Sequence, residues 1–177
     1  MRKLKNSELH RLNVDGYKKA EKNPIIIVLD NIRSLNNIGS IFRTADAFRI
    51  EAIYLCGITA QPPHRDIHKT ALGATDSVDW KYFKTTEEAM AELKSKNYKT
   101  IALEQADHSI MLNSFAPDPD YAHAIILGNE VHGIEQKIVS QSDYCVEIPQ
   151  FGTKHSLNVT VSNGIAIWDI LLKLNVL

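Results

Sequence analysis

A chain of 177 residues, 44% hydrophobic and 23% charged, is long enough to bury its own core and has the composition of a globular protein. Its formal net charge of −1 excludes whole-surface attraction to nucleic acid, and its longest apolar runs, 25–29 and 124–127, are too short to span a bilayer. The opening MRKLKNSELHRL lacks the apolar stretch of a secretory signal, and Cys56 and Cys145 stand apart in apolar segments, so buried thiols in a reducing cytoplasm, with no membrane attachment, are expected.

Residues 1–22 carry seven Lys or Arg against three Asp or Glu, a local charge of +4. This basic N-terminal segment reads either as a solvated helix or as an arm for phosphates. The spacing predicts an amphipathic helix over 7–20, capped by Ser7, with Leu9, Leu12 and Tyr17 on one side. Pro24 ends it, and Ile25 to Leu29 reads as a strand covered on both faces. Asp30 to Asn37 is a polar loop, after which Asn36 or Asn37 caps a helix that buries Ile38, Ile41, Phe42 and Ala45. Ala52 to Leu55 is a second strand. Gly57 to Lys69, with Pro62 and Pro63, reads as a long loop. A strand at Trp80 to Phe83, a helix at Thr86 to Lys96 and a strand at Lys99 to Leu103 follow, then a loop through Pro117 and Pro119. The last elements are a strand at Ala122 to Leu127, a short helix at Glu135 to Gln141, a strand at Tyr144 to Ile148 and a long helix at Ser156 to Leu174.

Strands and helices alternating at these lengths predict an α/β fold: a mostly parallel sheet with helices on both faces, in one domain over 1–177. Ligands meet such sheets at the carboxyl ends of the strands. Here those ends are Asp30 to Asn37, Leu103 to Gln105, Gly128 to Gly133 and Pro149 to Ser156, which are also the polar, glycine-bearing stretches.

Three of these carry chemistry. In NNIGSIFRTAD (36–46), Gly39 sits one turn inside a helix, where Ala would be better by up to about 1 kcal/mol. Close approach by a ligand or by another backbone is therefore expected there. Arg43, one turn further along that face, is either a surface arginine paired with Asp46 or a guanidinium holding a phosphate bidentately. In LGNEVHGI (127–134), strand, glycine, polar turn, glycine and helix suggest a phosphate or cofactor loop without the dinucleotide fingerprint; Glu130 also suits the coming helix N-terminus. In IPQFGTKHSLN (148–158), Gly152 lets the main chain approach a ligand, and Ser156 and Asn158 stand at a helix mouth that favours anions. His64 and His68 are four apart and could share a metal, as in an unrelated α/β metal hydrolase. No glutamate lies between them and prolines precede them, so no metal is expected. His155 beside Ser156 does not make a serine–base pair, and both the G-x-S-x-G elbow and the P-loop are missing.

Taken together, Asn37-x-Gly39-x-x-x-Arg43-Thr44-Ala45, Gly128-x-Glu130-x-x-Gly133, and Ile148-Pro149, Gly152 and Ser156-Leu157-Asn158-Val159 resemble the three motifs of the SpoU/TrmH family of RNA 2′-O-ribose methyltransferases, within the SPOUT superfamily. Their order and spacing across 25–172 carry the resemblance. It implies a C-terminal trefoil knot, formed where the chain after Gly128 threads through, and a homodimer with active sites near the subunit interface. It implies S-adenosylmethionine held in a bent form, with contacts largely from the backbone at Leu103, Gly128, Ile148 and Leu157. Asn37, Arg43, Glu130, Ser156 and Asn158 fall on motif positions associated with catalysis and substrate binding. The implied activity is methyl transfer to a ribose 2′-hydroxyl of tRNA or rRNA, with tRNA preferred; the alternative is a non-catalytic knotted RNA-binding protein. The family gives the residue at Arg43 the part of general base. A guanidinium stays protonated, so a phosphate held by Arg43 and Ser156, orienting the hydroxyl or relaying its proton, is the other reading. Gln150-Phe151 stands where the family often has Met and a small residue, Ser162-Asn163-Gly164 replaces a more alanine-rich turn, and Phe48-Arg49 replaces a common glycine. These departures bear on the subgroup and the RNA target.

Overall fold

The run Ile25 to Leu29 has no polar position, and the fold places it in the middle of a sheet. The computed structural model describes residues 1–177, the side chain of Asn6 excepted. β1 (Asn23–Asp30) pairs in parallel with β2 (Ile50–Cys56) on one side and β6 (His123–Leu127) on the other, Val28 standing opposite Tyr54 and Ile126. With β3 (Asp79–Phe83), β4 (Lys99–Leu103), β5 (Ile110–Met111) and β7 (Tyr144–Glu147), the order is β3-β2-β1-β6-β4-β7-β5. Every pairing is parallel. The chain builds outward from β1 to β3, then crosses to β4 and leaves a gap that β6 fills. The direction of winding reverses there, where such sheets open a crevice for ligands.

Alternation along β1 divides its side chains between two cores. Ile25, Ile27 and Leu29 pack with α1 (Val14–Lys19), α2 (Leu35–Ala47), α3 (Arg65–Ala71), α4 (Ala74–Ser77) and α7 (Val159–Lys173). Ile26 and Val28 pack on the other face with α5 (Thr86–Ser95) and α6 (Gln136–Gln141). Burial of each such side chain contributes about 1.5–3 kcal/mol relative to leaving it in water. The expected mostly parallel sheet with helices on both faces is the fold observed.

Several local expectations are corrected. The helix expected over 7–20 is a 3-10 turn at Asn6–Glu8 followed by the six-residue α1. His10 has φ 49°, a left-handed conformation that an α-helix cannot contain. Asn13 starts α1 instead, its side chain accepting from the Gly16 N–H at 2.8 Å. Leu9 and Leu12 are exposed, and Tyr17 alone of that apolar set is buried. Within the basic segment, Arg2 pairs with Glu8 at 2.6 Å. Ser34 caps α2 rather than Asn36 or Asn37, its hydroxyl accepting from the Asn37 N–H at 3.3 Å.

The stretch 57–69 is not loop throughout. Its second half enters α3, capped by His64, whose Nδ1 accepts from the Asp66 N–H at 3.2 Å. α3 also explains Gly39. A Cβ built there would lie 2.1 Å from the Thr70 hydroxyl and 2.2 Å from the Ile67 carbonyl. The close approach is that of a second helix, and no ligand is needed to account for it. α7 begins at Val159 rather than Ser156, because Asn158 is its cap and accepts from the Thr160 N–H at 2.9 Å. Ser156 remains in the loop before it. Of the two cysteines, Cys56 is buried and Cys145 only half-buried.

Candidate functional site

β4, β6 and β7 end side by side, and between their outgoing loops lies a cleft of about 670 Å³. Leu103, Gly128, Ile148 and Leu157 line it, as do Glu130, Ser156 and Asn158. The loop after β6 is folded back on itself. Asn129 and Gly133 exchange backbone hydrogen bonds at 3.0 and 2.9 Å, and the Asn129 side chain accepts from the Val131 and His132 N–H groups. The turn closes so tightly that a Cβ at Gly128 would lie 2.2 Å from the backbone of Gly133 and Ile134. Glycine is required at Gly128 for that reason, and at Gly133 because its φ is +68°.

Glu104 and Gln105, just past β4, fasten this loop and the next one. The Glu104 carboxylate accepts from the Ile134 N–H at 2.9 Å and from the Gln105 N–H at 2.9 Å. The Gln105 amide donates to the His155 carbonyl at 2.7 Å. Three segments far apart in sequence are thereby joined around one hollow. Residue type gave no hint of these roles; the one available signal was that 103–105 is the carboxyl end of a strand.

Glu130 connects the cleft to α2. Its carboxylate accepts from the Arg33 and Ser34 N–H groups at 3.0 Å each and from the Asn37 side-chain amide at 2.9 Å. Asn37 in turn accepts from the Asn158 amide at 3.4 Å. Burial pushes the Glu130 pKa up, but the hydrogen bonds from Arg33, Asn37 and Ser34 outweigh it and hold the carboxyl below its usual value. The carboxylate therefore neutralises the open N-terminus of α2.

Glu104, Glu130 and Glu147 face the cleft, and among the described residues no Lys or Arg lines it. Such a wall favours a cationic ligand group. Glu147 also accepts from the Ser109 hydroxyl at 2.8 Å.

Arg43 is elsewhere. It lies six residues, about 9 Å along the axis of α2, beyond Asn37. It rides the exposed crest of α2 with Asn36 and Ala47 and does not line the cleft of its own chain. The pairing with Asp46 is not formed among the described residues. Asp46 sits half-buried; burial raises its pKa, and the Ser77 hydrogen bond and the charge of Arg11 offset that in part. Gly152 is exposed with open space around it.

Beside α2 runs α7, whose exposed positions are Val161, Ile165, Trp168 and Leu172, all apolar. Their spacing of three and four residues places them in one stripe. Among the described residues no group of three His, Cys, Asp or Glu is placed to hold a metal. No helix is long and apolar enough to cross a membrane.

A parallel α/β sheet whose β4, β6 and β7 loops surround one cleft is the class defined by fold and site. The chain belongs to the SpoU rRNA Methylase family, whose profile matches residues 24–168. It is 31% identical over 167 residues to an uncharacterized tRNA/rRNA methyltransferase of Borreliella burgdorferi, a match covering 93% of this chain and 70% of that one. To the 23S rRNA (guanosine-2′-O-)-methyltransferase RlmB of Neisseria meningitidis it is 29% identical over 144 residues, 81% of this chain and 56% of the relative. The crystal structure of an AdoMet-bound rRNA methyltransferase from Sinorhizobium meliloti has the same fold, with TM-score 0.79 at 24% identity, over 86% of this chain and 57% of that one. The chain thus spans little more than half the length of the last two.

Proposed function

We propose that this protein is a metal-free cytoplasmic RNA methyltransferase that uses S-adenosylmethionine to methylate a ribose 2′-hydroxyl, on tRNA in the reading to be tested first and on rRNA otherwise. The observation that carries the reading is a convergence. Leu103, Gly128, Ile148 and Leu157 meet on one cleft, and Glu130 ties that cleft to Asn37 and, through it, to Asn158. The relatives' names support the reaction class.

The residues present fit the cofactor. A glycine-closed turn at Gly128 lets main chain approach a ligand, the volume suits a nucleoside, and three carboxylates suit a donor carrying positive charge. When bound, it supplies a methyl group on a sulfonium, which is already a good leaving group. The protein's part is to bind it through main chain at Leu103, Gly128, Ile148 and Leu157, and to hold the ribose hydroxyl in line. Glu130, already engaged by three donors, positions Asn37. Asn37, Asn158 and Ser156 offer amide and hydroxyl groups to the nucleotide, and Arg43 grips its phosphate.

Since Arg43 does not line its own cleft, we assign it to the cleft of a second copy, in a homodimer. The apolar stripe on α7 supports this, because a helix apolar on its outer side needs cover. The C-terminal knot and the one-domain organisation of 1–177 belong to the same proposal; the Glu104 and Gln105 bonds hold together the three segments that a knot would interlace.

The test is transfer of labelled methyl groups to tRNA and to rRNA purified from a strain lacking the gene, with mapping of 2′-O-methyl sites. Arg43→Ala and Asn158→Ala should each abolish most turnover, Arg43→Ala leaving cofactor affinity by calorimetry nearly unchanged. Mixing the two variants should restore roughly a quarter of the wild-type rate, since half the dimers are mixed and each holds one intact cleft. If wild type methylates neither RNA, the reading fails. If mixing restores nothing, Arg43 does not act across the dimer.

A further inference from the structure

Phe151 stands on the loop between β7 and α7, and its side chain is 98% exposed. On its two sides, Gln150 and the run from His155 to Asn158 line the cleft, whereas Phe151 does not. The ring therefore stands on the lip of the cleft, with nothing of its own chain covering it. Lys154, three residues on, is exposed and has no carboxylate partner among the described residues. From Ile148 to Trp168 the sequence contains no Asp or Glu at all. The lip is held in place, because Gln105 anchors the His155 carbonyl at 2.7 Å. Across the cleft the walls carry Glu104, Glu130 and Glu147. A polyanion is repelled by that floor and attracted at the lip.

We infer that Phe151 and Lys154 form a nucleotide-binding lip beside the cleft. The ring stacks on an unpaired base beside the reacting nucleotide, and the ammonium takes the adjoining phosphate. Unpaired RNA is commonly held this way, by bases laid on aromatic rings and by cations along the backbone. The assignment of the neighbouring nucleotide rests on the methyl-transfer reading; the stacking itself does not.

The experiment uses the full chain and a short single-stranded RNA carrying one 2-aminopurine, whose fluorescence is quenched on stacking. Wild type, Phe151→Trp and Phe151→Tyr should quench it. Phe151→Ala should lose the quench and bind roughly tenfold more weakly. Lys154→Gln should keep the quench and lower the salt dependence of binding by about one phosphate contact. S-adenosylmethionine affinity by calorimetry should be the same in all of them. An unchanged quench in Phe151→Ala overturns the inference. So does dissociation of the dimer by Phe151→Ala in sedimentation, which would make a second copy the ring's cover. Failure of the methyl-transfer reading is distinguishable: wild type would neither bind the cofactor nor transfer methyl groups, while the quench would still report on the lip.

Discussion

The Glu130 carboxylate and the Asn37 side-chain amide meet at 2.9 Å across 93 positions of sequence. With the Arg33 and Ser34 N–H groups on the same carboxylate, one side chain closes the N-terminus of α2 and fastens it to the loop after β6. Because the folded pKa is depressed, the contribution is present above the unfolded carboxylate value and is lost as pH falls through the lower folded value. Glu130→Ala should lower stability by about 1 kcal/mol at neutral pH. In urea titrations its difference from wild type should shrink as pH drops below about 4.

Gly39→Ala sets two effects against each other. Helix propensity favours alanine by up to about 1 kcal/mol. The added Cβ, however, would sit 2.1 Å from the Thr70 hydroxyl and 2.2 Å from the Ile67 carbonyl. Overpacking of that kind costs about 1–3 kcal/mol, and it wins. The variant should unfold at lower urea, and adding Thr70→Ala should not rescue it, since the Ile67 carbonyl remains.

Ile165→Asp puts a charge in the middle of the α7 stripe. If the stripe is the homodimer face, the dimer should weaken by at least about 100-fold, the order expected for an unpaired charge in a desolvated interface. Sedimentation should then give a monomer at concentrations where wild type is a dimer. Methyl transfer should fall in step, whereas thermal unfolding of the monomer should change little.

His123 is fully buried, and neither ring nitrogen has a protein partner. Burial lowers its pKa; Asp118 and Asp143 pull it partly back up, and Lys99 adds to the lowering. With the folded pKa below the unfolded one, stability is intact above about pH 6.5 and declines as pH falls below it. His123→Leu should flatten that decline. At pH 5.5 it should match or exceed wild type by about 1 kcal/mol in chemical unfolding.

The sheet was legible because Ile25 to Leu29 has no polar alternate, and α2 was legible because Ile38, Ile41, Phe42 and Ala45 repeat at helical spacing. What escaped was set by competition or by distance. The apolar spacing of Leu9, Leu12 and Tyr17 suits a helix, but the left-handed His10 interrupts it. Pro62 and Pro63 disguised α3, whose buried side holds only Ile67 and Ala71. Ser34, Asn36 and Asn37 are all good caps, and composition does not choose among them.

The insertion of β6 between β1 and β4 leaves no mark on any local window. Leu103, Gly128, Glu130, Ile148, Ser156, Leu157 and Asn158 on the 670 Å³ cleft were nameable through motif resemblance, whereas Glu104 and Gln105 on the same cleft were not. Their partners, Ile134 and His155, lie 30 and 50 residues away and are engaged through main-chain atoms that any residue type supplies.

All seven strands run one way, so each hands its chain to a loop on the same rim. The far rim is fastened independently, Asp143 accepting from the Thr100 N–H and hydroxyl at 2.9 and 2.7 Å. The residues that fasten that far rim are therefore distinct from those that line the cleft. A lineage with this layout can trade Gln150 or the 98% exposed Phe151 for other side chains, and so change what meets the cleft, while the barrier to unfolding stays where it was.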